Sequence, residues 1–258
     1  MIAYFGFLTL VANTLYKSSI AQDLDGASRH TFTMRKFGII GIVVVGLSIT
    51  FTGFDWLMGL DYHWFSTMWG VYIFAGAAGS SMSLIVLLTT ALKSKGYLKA
   101  VNQEHYHIMG KFMLAFCIFW AYIGFSQYML IWYANLPEET TYIIPRTEGA
   151  WLPVSLLLLI GKFIVPFIAL LPRWAKRSPV HLTALAIWIL IMQYVDLYWL
   201  VYPAFSPEHV KFGFFEITIF AGFLGLFLMV VTRFLSRHSI VPLKDPRIEE
   251  SLHHHVTY

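Results

Sequence analysis

The run from residue 109 to residue 133 limits most what this chain can fold into, because it is almost wholly apolar. An α-helix needs about 20 such residues to cross the hydrocarbon core of a bilayer. Two residues of the run do not suit lipid, Lys111 near its start and Gln127 near its end. Lipid tails solvate neither an ammonium group nor an amide, so both should face protein or trapped water. The run predicts a membrane-spanning helix with a buried polar seam.

Similar apolar runs recur along the whole chain. Hydrophobic residues make up 58% of the 258 residues and charged residues only 12%, whereas a soluble domain needs more polar residues to cover its surface. We therefore predict an all-α, polytopic transmembrane helix bundle over residues 1–235, followed by a cytoplasmic tail over residues 236–258. Its helices, about seven, are predicted at residues 2–16, 37–57, 69–92, 109–133, 151–171, 181–202 and 214–235.

Lysine and arginine are concentrated in alternate connections between these runs. Residues 17–36 hold four, 93–108 three, 172–180 three and 233–247 four, whereas the intervening connections hold none, Arg146 alone and Lys211 alone. Basic residues mark the cytoplasmic side, so we predict a cytoplasmic C-terminus and place Met1 outside. The net charge of +4 then reflects topology and gives no reason to expect a nucleic-acid partner.

The first run is short for a membrane span. It follows Met1 with no charged segment and no small-residue cleavage site, so it makes a poor signal peptide. We expect it to be the inner part of a longer helix whose beginning is absent from this chain, with a natural short start as the alternative.

Small residues three or four apart occur in the third and last runs. Such spacing lets helix backbones approach closely, so we expect both helices to lie inside the bundle. The residues concerned are Gly76, Gly79, Ser80 and Ser83 in the third run, and Ala221, Gly222 and Gly225 in the last.

The segment from Gly110 to Thr140, which contains FWAYIGFSQYMLIWYANLPEET, resembles a known family. It is similar to the NrfD/polysulfide-reductase-like membrane subunits of bacterial alternative complex III, a quinol:cytochrome c oxidoreductase. KFIVPFIALLPRWAKR at residues 162–177 and DLYW at residues 196–199 look more like the second of its two such subunits than the first. Members of that family have more helices than the seven predicted here, which implies that N-terminal helices are missing from this chain.

The resemblance implies a respiratory role in the bacterial cytoplasmic (inner) membrane. It implies quinol oxidation near the periplasmic side, with menaquinone or ubiquinone as the quinone, and it allows coupled proton movement. The implied partners are a paralogous NrfD-like subunit, an iron–sulfur subunit and multihaem cytochrome c subunits. No covalently bound or metal-ligated cofactor is expected in this chain.

The outer half of the bundle holds the first set of candidate residues. A helix rises about 1.5 Å per residue, which places Gln127 and Asp196 roughly 9 Å inside the outer surface and Lys162 roughly 16 Å inside it. We predict an ion pair between Lys162 and Asp196, because each needs a partner in lipid. Glu216 enters the last helix at a similar outer depth, and Asp55 extends a polar stripe that begins with Ser48 and Thr52. These groups could bind or deprotonate a quinol; the alternative is a structural salt bridge.

The inner half holds a second set of candidates where the fourth helix begins: Glu104, His105, His107 and Lys111. Histidine titrates near neutral pH, so this set could pass protons inward from the cytoplasm. The alternative is a solvated helix start from which Lys111 reaches toward water.

Other classes of function fit the sequence less well. Membrane haem b needs histidines within facing helices, and none of the ten lies deep in a predicted span. Cys117 is the single cysteine, which excludes an internal iron–sulfur cluster. Residues 253–255 are three histidines in the tail and form at most a weak metal site. A purely structural membrane anchor and an ion or solute transporter remain the alternatives to a redox-complex subunit.

Overall fold

We describe the protein from a computed structural model, which covers residues 2–61 and 63–253. Its described residues form α-helices and short turns, with no β-strand among them. A π-helical turn at Leu159–Ile164 joins the sixth helix to the seventh. The helices are α1 (Ile2–Asp25), α2 (Ser28–Trp56), α3 (Trp69–Ser94), α4 (Gln103–Ala134), α5 (Pro137–Thr147), α6 (Leu152–Leu158), α7 (Val165–Leu170), α8 (Arg173–Arg177), α9 (Pro179–Val201), α10 (Phe214–Leu235) and α11 (Ile248–Leu252).

Six helical runs within the described residues are long and apolar enough to cross a membrane. They are α2, α3, α4, the continuous run from α6 to α7, α9 and α10. The predicted all-α polytopic bundle is therefore confirmed, and the chain is a multi-pass membrane protein. The first predicted helix, at residues 2–16, also exists as α1, but it does not meet the same combined criteria of length and composition.

The connection predicted at residues 17–36 is wrong, because α1 and α2 occupy nearly all of it. Only Gly26 and Ala27 separate the two helices, and Gly26 adopts a φ of +68°, which suits glycine at a helix end. Asp25 accepts hydrogen bonds from the Ala27 N–H at 2.9 Å and from Arg29 at 3.0 Å. The Ala27 N–H and His30 lower the pKa of Asp25 to about 2. Basic residues at the ends of two adjoining helices therefore produce a sequence pattern that is also typical of a loop.

Helix α3 lies at the centre of the bundle and packs against α2, α4 and α9. Its small residues permit close approach, as predicted. A Cβ atom at Gly70 would lie 2.8 Å from the Thr50 Cα atom of α2, and one at Gly76 would lie 2.8 Å from the Gln193 Oε1 atom of α9. Outside this centre, α1 packs along α2, α4 packs against α7 and α8, and α6 packs against α9.

Helix α10 stands apart from the bundle, so its predicted interior position is wrong. None of its residues is buried, and a Cβ atom added at Gly222 or Gly225 would meet nothing within 4 Å. Near the N-terminal end of α10, Glu216 contacts Tyr202 of the turn after α9. Near its C-terminal end, the Phe234 ring lies 5.3 Å from the Tyr16 ring of α1. The small residues of α10 therefore do not mark a buried face, and the helix contacts its neighbours near its two ends.

The tail folds back on the bundle. The Leu243 N–H donates to the Asp23 Oδ1 atom at 2.7 Å, Lys244 Nζ donates to the Leu24 carbonyl at 2.6 Å, and the Ser251 hydroxyl lies 3.2 Å from His105 Nε2. The tail therefore lies at the same end of the bundle as the α1–α2 turn and the start of α4. We call this the inner end, following the charge-based orientation. His254 and His255 lie outside the described residues.

Candidate buried charge site

Lys162 and Asp196 meet in the interior of the bundle. Lys162 lies in the π-helical turn and Asp196 lies on α9. The Lys162 Nζ atom is 2.5 Å from Asp196 Oδ2, and the residues are only 5% and 1% exposed. The ion pair predicted from the depth of these two residues is present.

Asp196 has two further donors. The Tyr72 hydroxyl of α3 donates to Oδ1 at 2.6 Å, and Gln193 Nε2 donates to Oδ2 at 3.3 Å. On the other side of the pair, the Lys162 ammonium group lies 4.1 Å from the centre of the Trp120 ring of α4. A buried charge pair is stable when further hydrogen bonds satisfy its free lone pairs. The contacts with Tyr72, Gln193 and Trp120 meet this requirement for the Lys162–Asp196 pair.

The π-helical turn that carries Lys162 follows from Pro166. Proline has no N–H, so it cannot bond the carbonyl four residues before it, which belongs to Lys162. The Val165 N–H instead reaches the Ile160 carbonyl, five residues back. The carbonyls released in this way find side-chain donors, because Trp188 Nε1 donates to the Gly161 carbonyl at 2.7 Å and Cys117 Sγ lies 3.4 Å from the Lys162 carbonyl.

The other outer candidates are not brought to this pair. Gln127 Nε2 donates to the Ser66 hydroxyl at 2.7 Å, and Asp55 accepts from the Tyr4 hydroxyl at 2.8 Å. Glu216 accepts from the Gly213 N–H at 2.8 Å, which caps the start of α10, and from Tyr202. Asp55 and Glu216 thus hold helix ends together, where water and local donors can reach them.

The inner candidates divide into a buried part and a helix cap. Glu104 and His107 are buried on one face of α4, and Glu104 forms an ion pair with Arg177 of α8. His105 instead belongs to the capping box at the start of α4, together with Asn102. In the described part of the chain, Glu104 Oε2 and His107 Nδ1 have no hydrogen-bond partner. The fourth inner candidate, Lys111, acts electrostatically on His107.

Lys176, which the sequence places in a loop, is buried at the same inner end. Its Nζ atom donates to the carbonyls of Leu170, Leu171 and Pro172 at 2.6, 2.8 and 3.2 Å. Burial lowers the pKa of Lys176, and the positive charge of Lys111 lowers it further. Lys176 thus caps the C-terminal end of α7.

An apolar layer separates the inner candidates from Lys162 and Asp196. It is a cluster of buried side chains on α3, α4, α7 and α9 that includes Val86, Met113, Leu170, Leu182 and Ile189. Along these helices, the cluster lies between the level of the inner candidates and the level of the Lys162–Asp196 pair. The two sets of candidates are therefore distinct sites in this conformation.

Two buried residues of the outer half, Tyr72 and Arg146, were not predicted from the sequence. Tyr72 lies four residues before Gly76, so the face of small residues on α3 could have identified it as a partner of Asp196. Arg146, counted there as a loop charge, is 2% exposed on α5 and donates to the carbonyls of Tyr142 and Leu200 at 2.7 and 3.0 Å. Its spacing of four from Tyr142 was the available signal.

The fold and the site define a class, the multi-pass α-helical membrane proteins with a charge pair buried between their helices. No known family model matches this chain, and no curated protein is detectably similar to it.

Proposed function

We propose that this chain is a membrane subunit of a bacterial quinol:cytochrome c oxidoreductase, and that Lys162 and Asp196 move protons within it. The observation that carries the proposal is the ion pair itself, because ionisable residues inside a membrane usually mark proton or ion paths. The sequence resemblance described above supports the type of complex. The partners are then a paralogous NrfD-like subunit, an iron–sulfur subunit and multihaem cytochromes.

The burial of Asp196 favours proton transfer over direct contact with quinol. Asp196 is 1% exposed, so a quinone ring does not reach it in this conformation. Oxidation of one quinol releases two electrons and two protons. The electrons pass to the iron–sulfur and haem subunits, and each proton passes in turn through the carboxylate of Asp196. Gln127, half-buried beside Ser66, remains the candidate contact for the quinol itself.

A purely structural anchor is the second candidate function. The three contacts of the pair with Tyr72, Gln193 and Trp120 favour it, because a fully bonded charge pair also holds helices in place. Transport of an ion or solute by the chain alone is the third. Copurification with haem and iron–sulfur subunits supports the first two, whereas activity of the isolated chain supports transport.

The decisive experiment replaces both members of the pair. The single variant Lys162→Met leaves Asp196 buried without its partner and should cost roughly 3 to 5 kcal/mol of stability. The double variant Lys162→Met with Asp196→Leu removes both charges and should restore assembly. Quinol turnover and proton movement are then measured in the assembled complex, where we expect both to be lost.

Asp55→Asn is the matched control, since Asp55 is a carboxylate bonded to a tyrosine at the edge of the bundle. This variant should keep full turnover. An assembled double variant with full activity would show that the pair is structural and that the proposed proton role is wrong.

A further inference from the structure

A groove with a volume of about 1160 Å³ opens at the inner end of the bundle, between the start of α2, the start of α4 and the tail. One face of α2 forms its first wall, with residues three or four apart: Ser28, Thr31, Phe32 and Arg35. His105 and Ile108 of α4 contribute to the second wall, and the tail forms the third. Sites for drug-sized ligands occupy about 300 to 1000 Å³, so this space is large enough for a bulky ligand. We call it the inner groove.

Arg35 brings a positive charge to the inner groove, and it takes part in none of the ion pairs among the described residues. It also lies at the edge of the apolar span, because α2 has no charged residue between Lys36 and Asp55. The phosphate groups of a bilayer lie at this boundary. A guanidinium group binds phosphate through two parallel hydrogen bonds. Arg35 is therefore placed to bind the phosphate of a lipid.

Carboxylates of the tail line the same groove. Glu250 pairs with Arg247 at 2.7 Å, and Asp245 Oδ1 accepts from the Arg247 N–H at 2.9 Å. A carboxylate can accept several hydrogen bonds, so Asp245 can also bind a cationic donor. With His105 neutral, the two arginines and two carboxylates of the groove give it no formal net charge. The inner groove therefore suits a headgroup that carries both charges better than one that is only negative.

Exposed apolar residues continue the groove toward the middle of the membrane. Ile39 and Ile42 lie four and seven residues after Arg35 on α2, and Phe112 lies four residues after Ile108 on α4. Residues at these spacings share a helix face, and all three side chains are exposed. The acyl chains of a lipid bound in the groove can cover these faces, whereas a water-soluble ligand has no part that fits them.

We propose that the inner groove binds one molecule of phosphatidylethanolamine, a lipid whose headgroup joins a phosphate to a primary ammonium group. The phosphate binds Arg35 and the ammonium group binds Asp245. A primary ammonium group donates N–H hydrogen bonds to a carboxylate, whereas the trimethylated ammonium group of phosphatidylcholine has no N–H. The bound headgroup thereby links α2 to the tail. This binding does not depend on the proposed function.

Native mass spectrometry of the full chain in detergent tests the identity of the lipid. The chain is titrated with phosphatidylethanolamine, phosphatidylcholine and phosphatidylglycerol that carry the same acyl chains. One exposed charge contact changes an affinity by about fivefold, so we expect one phosphatidylethanolamine to bind about fivefold more tightly than either other lipid. Equal binding of the three lipids would overturn the proposal. Preference for the anionic phosphatidylglycerol would overturn the assigned headgroup.

Two variants locate the site. Arg35→Gln should lower the affinity for all three lipids about fivefold, because each has a phosphate. Asp245→Asn keeps an acceptor for the Arg247 N–H but loses the negative charge. It should therefore remove the preference for phosphatidylethanolamine and leave the affinity for phosphatidylcholine unchanged. Lys36→Gln is the matched control, since Lys36 adjoins Arg35 but lies outside the groove. Equal affinity of Arg35→Gln and Lys36→Gln for phosphatidylethanolamine would overturn the site.

Discussion

At the scale of single residues, burial decides how much a hydrogen-bonded carboxylate contributes to the free energy of unfolding. Asp196 and Asp55 each accept a hydrogen bond from a tyrosine hydroxyl, at 2.6 Å from Tyr72 and at 2.8 Å from Tyr4. The first bond is buried and the second is exposed. Water can replace a lost donor only at the exposed site, so two hydrogen bonds of similar length stabilise the fold to different extents.

The variants Tyr72→Phe and Tyr4→Phe separate these two effects. Tyr72→Phe leaves a buried carboxylate oxygen without its donor and should lower the free energy of unfolding by about 1 to 3 kcal/mol. Tyr4→Phe should leave it unchanged within error. Titration with a denaturing detergent measures both. Equal losses would contradict the assigned difference in burial.

Residue depth explains which site residues the sequence could predict. Lys162 and Asp196 lie within predicted membrane spans, where lipid satisfies neither charge, and the sequence therefore predicts their pairing. Asp55 and Glu216 lie near helix ends, where Tyr4, Gly213 and water compete as partners. A single sequence does not show which of these local partners each carboxylate binds. It therefore could not show that Asp55 and Glu216 lie apart from the ion pair.

At the scale of helices, close approach between α2 and α3 organises the bundle. Gly70 lies at the start of α3 where it meets Thr50 of α2, and a Cβ atom there would lie 2.8 Å from the Thr50 Cα atom. Backbone atoms cannot rotate away as a flexible side chain can. Small-residue spacing predicted the interior position of α3 but not the exposure of α10, because the pattern does not identify the partner helix.

The variant Gly70→Ala should force α2 and α3 apart. Overpacking of this kind costs about 1 to 3 kcal/mol, which a detergent unfolding titration can measure. Gly46→Ala on α2 is the control, since a Cβ atom there meets nothing within 4 Å. The control should keep wild-type stability. If both variants unfold alike, the α2–α3 contact does not have this geometry.

At the scale of the whole molecule, the fold brings the basic segments to one end of the bundle. The tail contacts the α1–α2 turn and the start of α4, so three basic segments separated along the chain meet at one end of the bundle. The alternation of charge predicted that arrangement. The folding back of the tail was not predictable, because it depends on Asp23 and Leu24 accepting bonds in a helix that the sequence suggested was a loop.

Single cysteines test the orientation. Cysteines at Glu138 or Glu148, both exposed, should react with an impermeant reagent from outside, and one at exposed Lys95 should react only after permeabilisation. Lys176 is buried and would not serve as a reporter. The native Cys117 is buried and gives the background. Equal labelling from both sides would overturn the orientation.

The π-helical turn constrains the length of its segment as strictly as its composition. In a π-helical turn the backbone N–H bonds the carbonyl five residues before it, so the turn contains one more residue than a turn of regular α-helix. Removing any one residue between 159 and 164 would rotate the two halves of the span by about 100° relative to each other. Either Lys162 or Leu170 would then leave its present neighbours. Among chains that share this site, insertions and deletions between Trp151 and Pro172 should therefore be rarer than substitutions.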